Sequence, residues 1–128
     1  MKVLSLFDGI SCGLLALNNC CIKVDMYFAS EIEPKAIKVA QKNHHNIVEI
    51  GDVSKITYKN GVLYTPDKKY NVGHINLVCG GSPCTNFSSI GYANGMSSGN
   101  IEISSLKQYL ELKAQNAVFD GQSYLFWE

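Results

Sequence analysis

Arginine is missing from this chain of 128 residues: all 11 basic residues are lysine, and 11 acidic residues bring the formal net charge to zero. Surfaces that grip nucleic acid through its phosphates want clustered positive charge, and the commonest specific base contact is arginine on guanine. Neither is present, so the composition excludes a strongly basic nucleic-acid-binding module. If the chain acts on nucleic acid, most of the gripping surface lies outside it. The five cysteines, Cys12, Cys20, Cys21, Cys79 and Cys84, are odd in number and form no C-x-x-C pair, which argues against a disulfide framework. His44-His45 is the one adjacent histidine pair, and no ligand spacing ties it to cysteine, so no metal site is expected. No apolar run approaches the roughly 18 residues of a membrane span. The opening Met-Lys runs straight into a strand pattern and does not read as a signal peptide. The expectation is a cytoplasmic protein with reduced thiols and no membrane partner.

With 46% apolar residues there is enough for a real core, and the length suits one compact domain. Residues 2 to 7 (K-V-L-S-L-F) are short, apolar and stopped by Asp-Gly, the pattern of a buried strand. A helix is expected from Leu14 to Asn19 and a second strand from Met26 to Ser30. A second helix should start at Pro34, present Ala36, Ile37, Val39 and Ala40 to the core, and run out near Asn43-His44. Ile47 to Ile50 and Ile75 to Cys79 read as third and fourth strands. The polar stretch from 54 to 74 holds at most a weak helix or a hairpin around Val62–Tyr64. Alternating strands and helices predict an α/β fold with parallel pairing and right-handed crossovers. Residues 85 to 103 read as a long loop. Leu106, Leu110 and Leu112 suggest a short helix, and the closing Tyr-Leu-Phe-Trp-Glu reads as the opening of an amphipathic helix on Leu125 and Phe126.

Two loops carry chemistry. Gly80-Gly81-Ser82-Pro83-Cys84 follows the fourth strand, and Phe7-Asp8-Gly9-Ile10-Ser11-Cys12-Gly13 follows the first. Open α/β sheets bind ligands at this carboxyl edge. In the first-strand loop, Gly9 and Gly13 let a ligand approach the backbone, and the following helix offers free N–H donors. Glu31, 18 residues after Gly13, ends the next strand, where an acid typically bonds a ribose. Asp52 ends the third strand and can reach an adenine amino group. Phe7 is either core or a stacking face for adenine, and position alone leaves both open. In the other loop Pro83 fixes the backbone before Cys84, and Gly80-Gly81 leave room for a planar ring. A thiol there suits a nucleophile. Cys79, inside the strand, reads as inert, and Cys12, Cys20 and Cys21 as packing. A nicotinamide-dependent oxidoreductase would account for the glycine loop but not for Gly-Gly-Ser-Pro-Cys.

F-D-G-I-S-C-G, S-E-I-E-P, G-D-V, G-G-S-P-C-T-N-F-S and G-Q-S-Y-L-F-W-E, in this order, resemble the DNA (cytosine-5-)-methyltransferases, with a phage- or prophage-like flavour, from Lys2 to Glu128. The resemblance implies a Rossmann-like methyltransferase sheet in its N-terminal half, and S-adenosyl-L-methionine as cofactor. It places Phe7, Asp8, Gly9, Gly13, Glu31, Ile32, Asp52, Val53 and Leu125 around that cofactor and Gly81, Ser82 and Pro83 at the target base. Cys84 would attack C6 of a cytosine flipped out of duplex DNA. Thr85 stands where the family often has glutamine or asparagine. The family's Glu-Asn-Val motif, its arginine-bearing motif, the target-recognition region and the C-terminal helix do not occur in these residues. Residues 1–128 are therefore expected to be the N-terminal part of the catalytic domain, a fragment or one piece of a split enzyme that is not active alone and is completed by a C-terminal half. Such a protein belongs in the cytoplasm of a bacterial or phage-infected cell, in restriction-modification, phage self-protection or regulation. The alternative is a non-catalytic remnant that binds S-adenosylmethionine or a partner chain.

Overall fold

The computed structural model describes residues 1–83 and 97–128, and the chain divides into two compact units, Met1–Gly81 and Ser82–Glu128. The first unit is built on a parallel sheet. Its strands are β1 (Lys2–Leu6), β2 (Met26–Ser30) and β3 (Ile47–Glu49), followed after a three-stranded insertion by β7 (Leu77–Gly80). The spatial order is β3-β2-β1-β7. The chain steps outward from β1 to β3, then returns to the far side of β1. The loops after β1 and β7 therefore leave the sheet at a topological switch point, where such sheets bind ligands.

Each sheet face is closed by a different device. Helix α1 (Cys12–Asn19) crosses between β1 and β2, and α2 (Pro34–Asn43) between β2 and β3. Leu14 and Leu17 of α1 pack on Val3, Tyr27 and Ala29, with Ile47, Leu77 and Cys79 beside them. The opposite face carries Leu4, Phe28 and Ile50. An antiparallel meander of β4 (Thr57–Lys59), β5 (Val62–Tyr64) and β6 (Lys69–Asn71) supplies Leu63 and Tyr70 to this second cluster. Phe28 meets Tyr70 edge to face, with 5.4 Å between ring centroids. Such a contact adds about 1 kcal/mol to the area it buries. The hairpin expected around Val62–Tyr64 is real, and it turns on Asn60-Gly61 at φ 51° and 78°. Two positive φ values in a two-residue loop are the I′ turn that matches the strand twist.

Glu33 caps α2 by accepting the Lys35 N–H, and Pro34 fills its first turn. Ala40 is buried and Ala36 and Ile37 are half-buried, as the spacing predicts, but Val39 points to solvent. The cysteines expected to pack do not: Cys12, Cys20 and Cys21 are all exposed. Helix α1 is only 8 residues long and spends its inward face on Leu14 and Leu17, which leaves these thiols outside.

Glycine is required at Gly80 for a reason apart from chemistry. β7 pairs with β1 so closely there that a Cβ would stand 2.5 Å from the Leu6 carbonyl oxygen and 2.8 Å from its Cβ. The Leu6 backbone is held in the centre of the sheet and has no room to yield. Gly80→Ala is expected to lower stability by about 1–3 kcal/mol, the usual cost of overpacking, read as a lower urea midpoint at unchanged m-value. Among the described residues, no atom lies within 4 Å of a Cβ built on Gly81. The packing reason for glycine therefore applies to Gly80 and not to Gly81.

The second unit is small. A hairpin of β8 (Ser97–Ser98) and β9 (Ile101–Glu102) leads to α3 (Leu106–Ala114) and a final 3-10 turn, Ser123–Trp127. The helix forms where the leucine spacing predicts, but Leu106 and Leu110 face solvent and Tyr109 is buried. Tyr109 lies against Phe119, with ring centroids 5.2 Å apart, and Phe119 stacks on Tyr124 at 4.9 Å. The Tyr109 hydroxyl donates to Glu128, whose carboxylate also pairs with Lys113 at 2.6 Å. A large ring with an anchored hydroxyl wins the inward position over leucine in so small a core. The closing segment is a single 3-10 turn, not an amphipathic helix, and that geometry rarely extends further.

Candidate active site

The loop after β1 is held in a shape that most residues avoid. Phe7, Gly9 and Ser11 have φ values of 55°, 64° and 63°. Side chains in this left-handed region cost free energy, so something must hold Phe7 and Ser11 there. Asp8 does much of it. Its N–H donates to the Ser30 carbonyl at 3.0 Å, its Oδ1 accepts the Tyr27 hydroxyl at 2.7 Å, and its Oδ2 accepts the hydroxyl of buried Ser11. Burial pushes the Tyr27 phenol well above its ordinary range and the Asp8 carboxylate adds to this, so Tyr27 stays a donor. A Cβ on Gly13 would stand 3.0 Å from the same hydroxyl.

Glu31 ties this loop to the end of β2. Its Oε2 accepts the Gly9 N–H at 2.7 Å, and its Oε1 accepts the N–H groups of Ile32 at 2.7 Å and Glu33 at 2.9 Å. A carboxylate has about four lone-pair positions, so one remains for a ligand donor. Ile32, next to it, is 62% exposed, an unusual position for isoleucine. Asp52 follows β3 and caps the 3-10 turn Val53–Lys55: its Oδ1 accepts the Ser54 N–H at 3.0 Å and the Ser54 hydroxyl at 2.8 Å. Lys55 lies 3.7 Å from its other oxygen. A cavity of about 290 Å³ opens beside Asp52, lined also by Gly51, Thr65, Lys68 and Tyr70. Phe7, Asp8, Gly9, Gly13, Glu31, Ile32, Asp52 and Val53 thus all belong to the first unit, and apart from Gly13 on α1 they sit just past the carboxyl ends of β1, β2 and β3.

Gly81 ends the first unit, directly after β7. Ser82 and Pro83 open the second unit, which also holds Leu125 in the final 3-10 turn. Cys84 lies outside the described residues. No group of histidine, cysteine, aspartate and glutamate among the described residues could hold a metal ion. No described helix is long and apolar enough to cross a membrane.

Sequence reasoning missed one acidic residue here. Glu49, the last residue of β3, pairs in register with Ala29, and both its carboxylate oxygens are sealed from solvent with no hydrogen-bond partner among the described residues. Burial pushes its carboxyl up to about 7, and the negative charges of Asp8 and Glu31 push the same way. The signal was visible in I-V-E-I, a charged residue inside an apolar strand. A carboxyl raised by folding binds its proton more tightly folded than unfolded. Its effect is therefore absent below about pH 4.5 and costs stability increasingly as pH rises to about 7. Glu49→Gln is expected to raise stability at pH 8 by about 1–2 kcal/mol, discounted for solvent near the loop, and to change little at pH 4. Urea melts at the two pH values would check it.

An open parallel α/β sheet, with Glu31 and Asp52 just past its strand ends and a glycine loop at its switch point, has the architecture of a partial Rossmann-like fold. The family is specific. The model of the C-5 cytosine-specific DNA methylases matches residues 1–104, and the chain belongs to that family. Among curated proteins, it is 38% identical over 97 residues to the orphan methyltransferase M.Rho11sI of Bacillus phage rho11s. It is 34% identical over 98 residues to M.SPBetaI of Bacillus phage SPbeta and 36% over 97 residues to M.SPRI of Bacillus phage SPR. These matches cover 74% or 75% of this chain but only 17% to 20% of the relatives, so the chain spans about a fifth of their length. The expected α/β sheet and family are thereby borne out, and enzymes of this family generally use S-adenosylmethionine.

Proposed function

We propose that these residues supply the cofactor site and the attacking thiol of a DNA (cytosine-5-)-methyltransferase, which moves a methyl group from S-adenosylmethionine to C5 of cytosine. The observation that carries the reading is the Glu31 clamp: one carboxylate joins the loop after β1 to the end of β2 at the switch point and keeps a free acceptor position. The residues fit the cofactor. Glu31 would accept a ribose hydroxyl, exposed Ile32 would pack on the adenine beside Val53, and Asp52 would accept the adenine amino group. Phe7 would face the nucleoside, and Gly9 would give it backbone access. Asp8 holds the loop, Gly13 lets the helix start close to Tyr27, and Leu125 is assigned to the cofactor by its place in the family's motif.

When bound, S-adenosylmethionine supplies an electrophilic methyl group. Cys84 would supply the thiolate that adds to C6 of the cytosine, breaking the C5–C6 double bond and leaving C5 nucleophilic towards that methyl group. Transfer of the C5 proton to a base would then re-form the double bond and break the C6–S bond, returning the thiolate. Gly81, Ser82 and Pro83 would shape the backbone around the flipped base. DNA is the substrate, and with no arginine in these residues its grip would come from elsewhere in the protein. Residues 1–128 would then be the N-terminal part of the catalytic domain, and turnover is assigned to a polypeptide of the relatives' length or to this chain with a complementing half. Cytoplasmic DNA modification in a bacterial or phage-infected cell is the matching setting.

The test has two arms. Calorimetry should show S-adenosylmethionine binding to the 128-residue chain. A duplex with 5-fluorocytosine should trap a covalent adduct when the C-terminal half of a phage relative is added, because fluorine blocks loss at C5. No binding, together with no adduct in that mixture, would overturn the reading.

A further inference from the structure

The reaction as proposed leaves Glu49 without a role. Its position is costly: a carboxyl with both oxygens sealed and without a partner loses hydration and gains nothing in return. Asp8, in the loop after β1, and Glu31, at the end of β2, are the charged groups that act on it, and both are acidic. Tyr27, on the neighbouring strand, spends its hydroxyl on Asp8. Helix α2 packs against β3, but its lysines, Lys35, Lys38 and Lys42, are exposed and none pairs with Glu49. Lys55, paired with Asp52, lines one cavity with Glu49, as do Asp67, Lys68 and Tyr70, and neither lysine pairs with Glu49. Three acids at the carboxyl ends of neighbouring strands thus act on one another, and among the described residues no cation pairs with Glu49. A positive ligand on the loop after β1 would relieve the repulsion, and a neutral one would not.

We propose that Glu49 sets the charge preference of the cofactor site: its sealed carboxyl, beside Asp8 and Glu31, releases its proton when a cationic ligand seats on the loop and keeps it when the ligand is neutral. The inference rests on the cofactor reading above. S-adenosylmethionine carries a sulfonium, and its demethylated product, S-adenosylhomocysteine, carries a neutral thioether. Ionised Glu49 attracts the first and is indifferent to the second. The site thus favours cofactor over product once the methyl group has gone, and the preference grows with pH. The amino and carboxylate groups are common to both nucleosides, so the difference between them isolates the sulfur.

The experiment is calorimetry of both nucleosides on the 128-residue chain in buffers of different ionisation enthalpy, from pH 5.5 to 8.5. Near pH 7, S-adenosylmethionine is expected to release roughly 0.3–0.5 proton more than S-adenosylhomocysteine. The affinity ratio of the two should rise about three- to tenfold across the range. Glu49→Gln, a neutral isostere of the protonated form, should abolish the extra proton release and flatten the ratio while both nucleosides still bind. Carboxyl carbon NMR of the unchanged chain gives an independent readout: the Glu49 signal should titrate near neutrality when free and at lower pH with S-adenosylmethionine bound. Equal proton release for both nucleosides, or a Glu49 midpoint below about 5 in the free chain, would overturn the proposal and leave the cofactor reading standing. Binding of neither nucleoside at any pH would overturn both.

Discussion

Cys84→Ser should abolish the covalent adduct with a 5-fluorocytosine duplex, a drop of at least about a hundredfold, and leave S-adenosylmethionine binding and the urea midpoint unchanged. A thiolate is a strong nucleophile at neutral pH, because a cysteine pKa near 8.5 falls further beside loop amides or a cation. A serine hydroxyl stays protonated and needs a general base. None of the histidines, His44, His45 and His74, stands in the loop after β7. The oxygen is smaller than sulfur, so the change is close to neutral for packing, and the defect should be confined to bond formation. Cys20→Ser and Cys21→Ser serve as controls. Both thiols are exposed and belong to the turn after α1, so both variants should form the adduct at the original rate. Adduct formation by Cys84→Ser, or its loss in either control, would move the nucleophile to another residue.

The parts of this fold that were legible in the sequence are those where one local signal decides the outcome. Met26–Ser30 forms a strand with the expected bounds because it is buried on both faces, and burial writes itself as an unbroken apolar run. Pro34 fixes the start of α2, and the helix ends at Asn43 where the apolar spacing runs out. The crossover from β3 to β7 was the hardest to read. Its three short strands are polar on their outer side, and only Leu63 and Tyr70 reach the core. Asn60-Gly61 announces the turn but not the third strand. The cysteines expected to pack are exposed, and the leucines that mark α3 face outward, for another reason. Hydrophobicity alone does not say which apolar residue wins a small interior, and in each case a neighbour with better geometry took the place: Leu14 and Leu17 in one helix, Tyr109 in the other.

Glu31 and Asp52 stand out in the sequence by their spacing from the glycine loop, and the structure places each just past the end of a strand. What the sequence does not disclose is how Glu31 is used in the free protein. Its carboxylate serves the backbone first, with three N–H donors at 2.7 to 2.9 Å. Asp8 is similar: it reads as a turn residue, yet it bridges Tyr27 and Ser11, residues 19 and 3 positions away. Such bridges depend on strand register, which brings β1 and β2 side by side from Lys2↔Met26 to Leu6↔Ser30. Glu49 depends on register too. It is placed beside Ala29 at the last rung of the β2–β3 pair, and its neighbours Asp8 and Glu31 come from two other segments.

The Glu31 clamp makes a prediction in which stability and binding fall together. Glu31→Ala leaves the N–H groups of Gly9, Ile32 and Glu33 without their acceptor. Water can replace it at Ile32 and Glu33, which are exposed, but less easily at Gly9, whose bond is partly buried. A buried donor left unsatisfied costs about 1–3 kcal/mol, and the urea midpoint should fall accordingly. The loop after β1 would lose its tie to the end of β2, and the Gly9 amide should exchange faster with solvent than the amides of β1. S-adenosylmethionine affinity should drop by about a hundredfold or more, from loss of a charge-assisted bond to the ribose and loss of the preset loop. Glu31→Gln separates the two losses. Its carbonyl oxygen can still serve Ile32 and Glu33, but the amide nitrogen then faces the Gly9 N–H, donor against donor. That variant should keep most of the stability of the unchanged chain and still bind the nucleoside tenfold or more weakly, because the loop is released and the charge is gone. Equal affinity in all three proteins, measured by calorimetry at one pH, would show that Glu31 holds the fold and not the ligand.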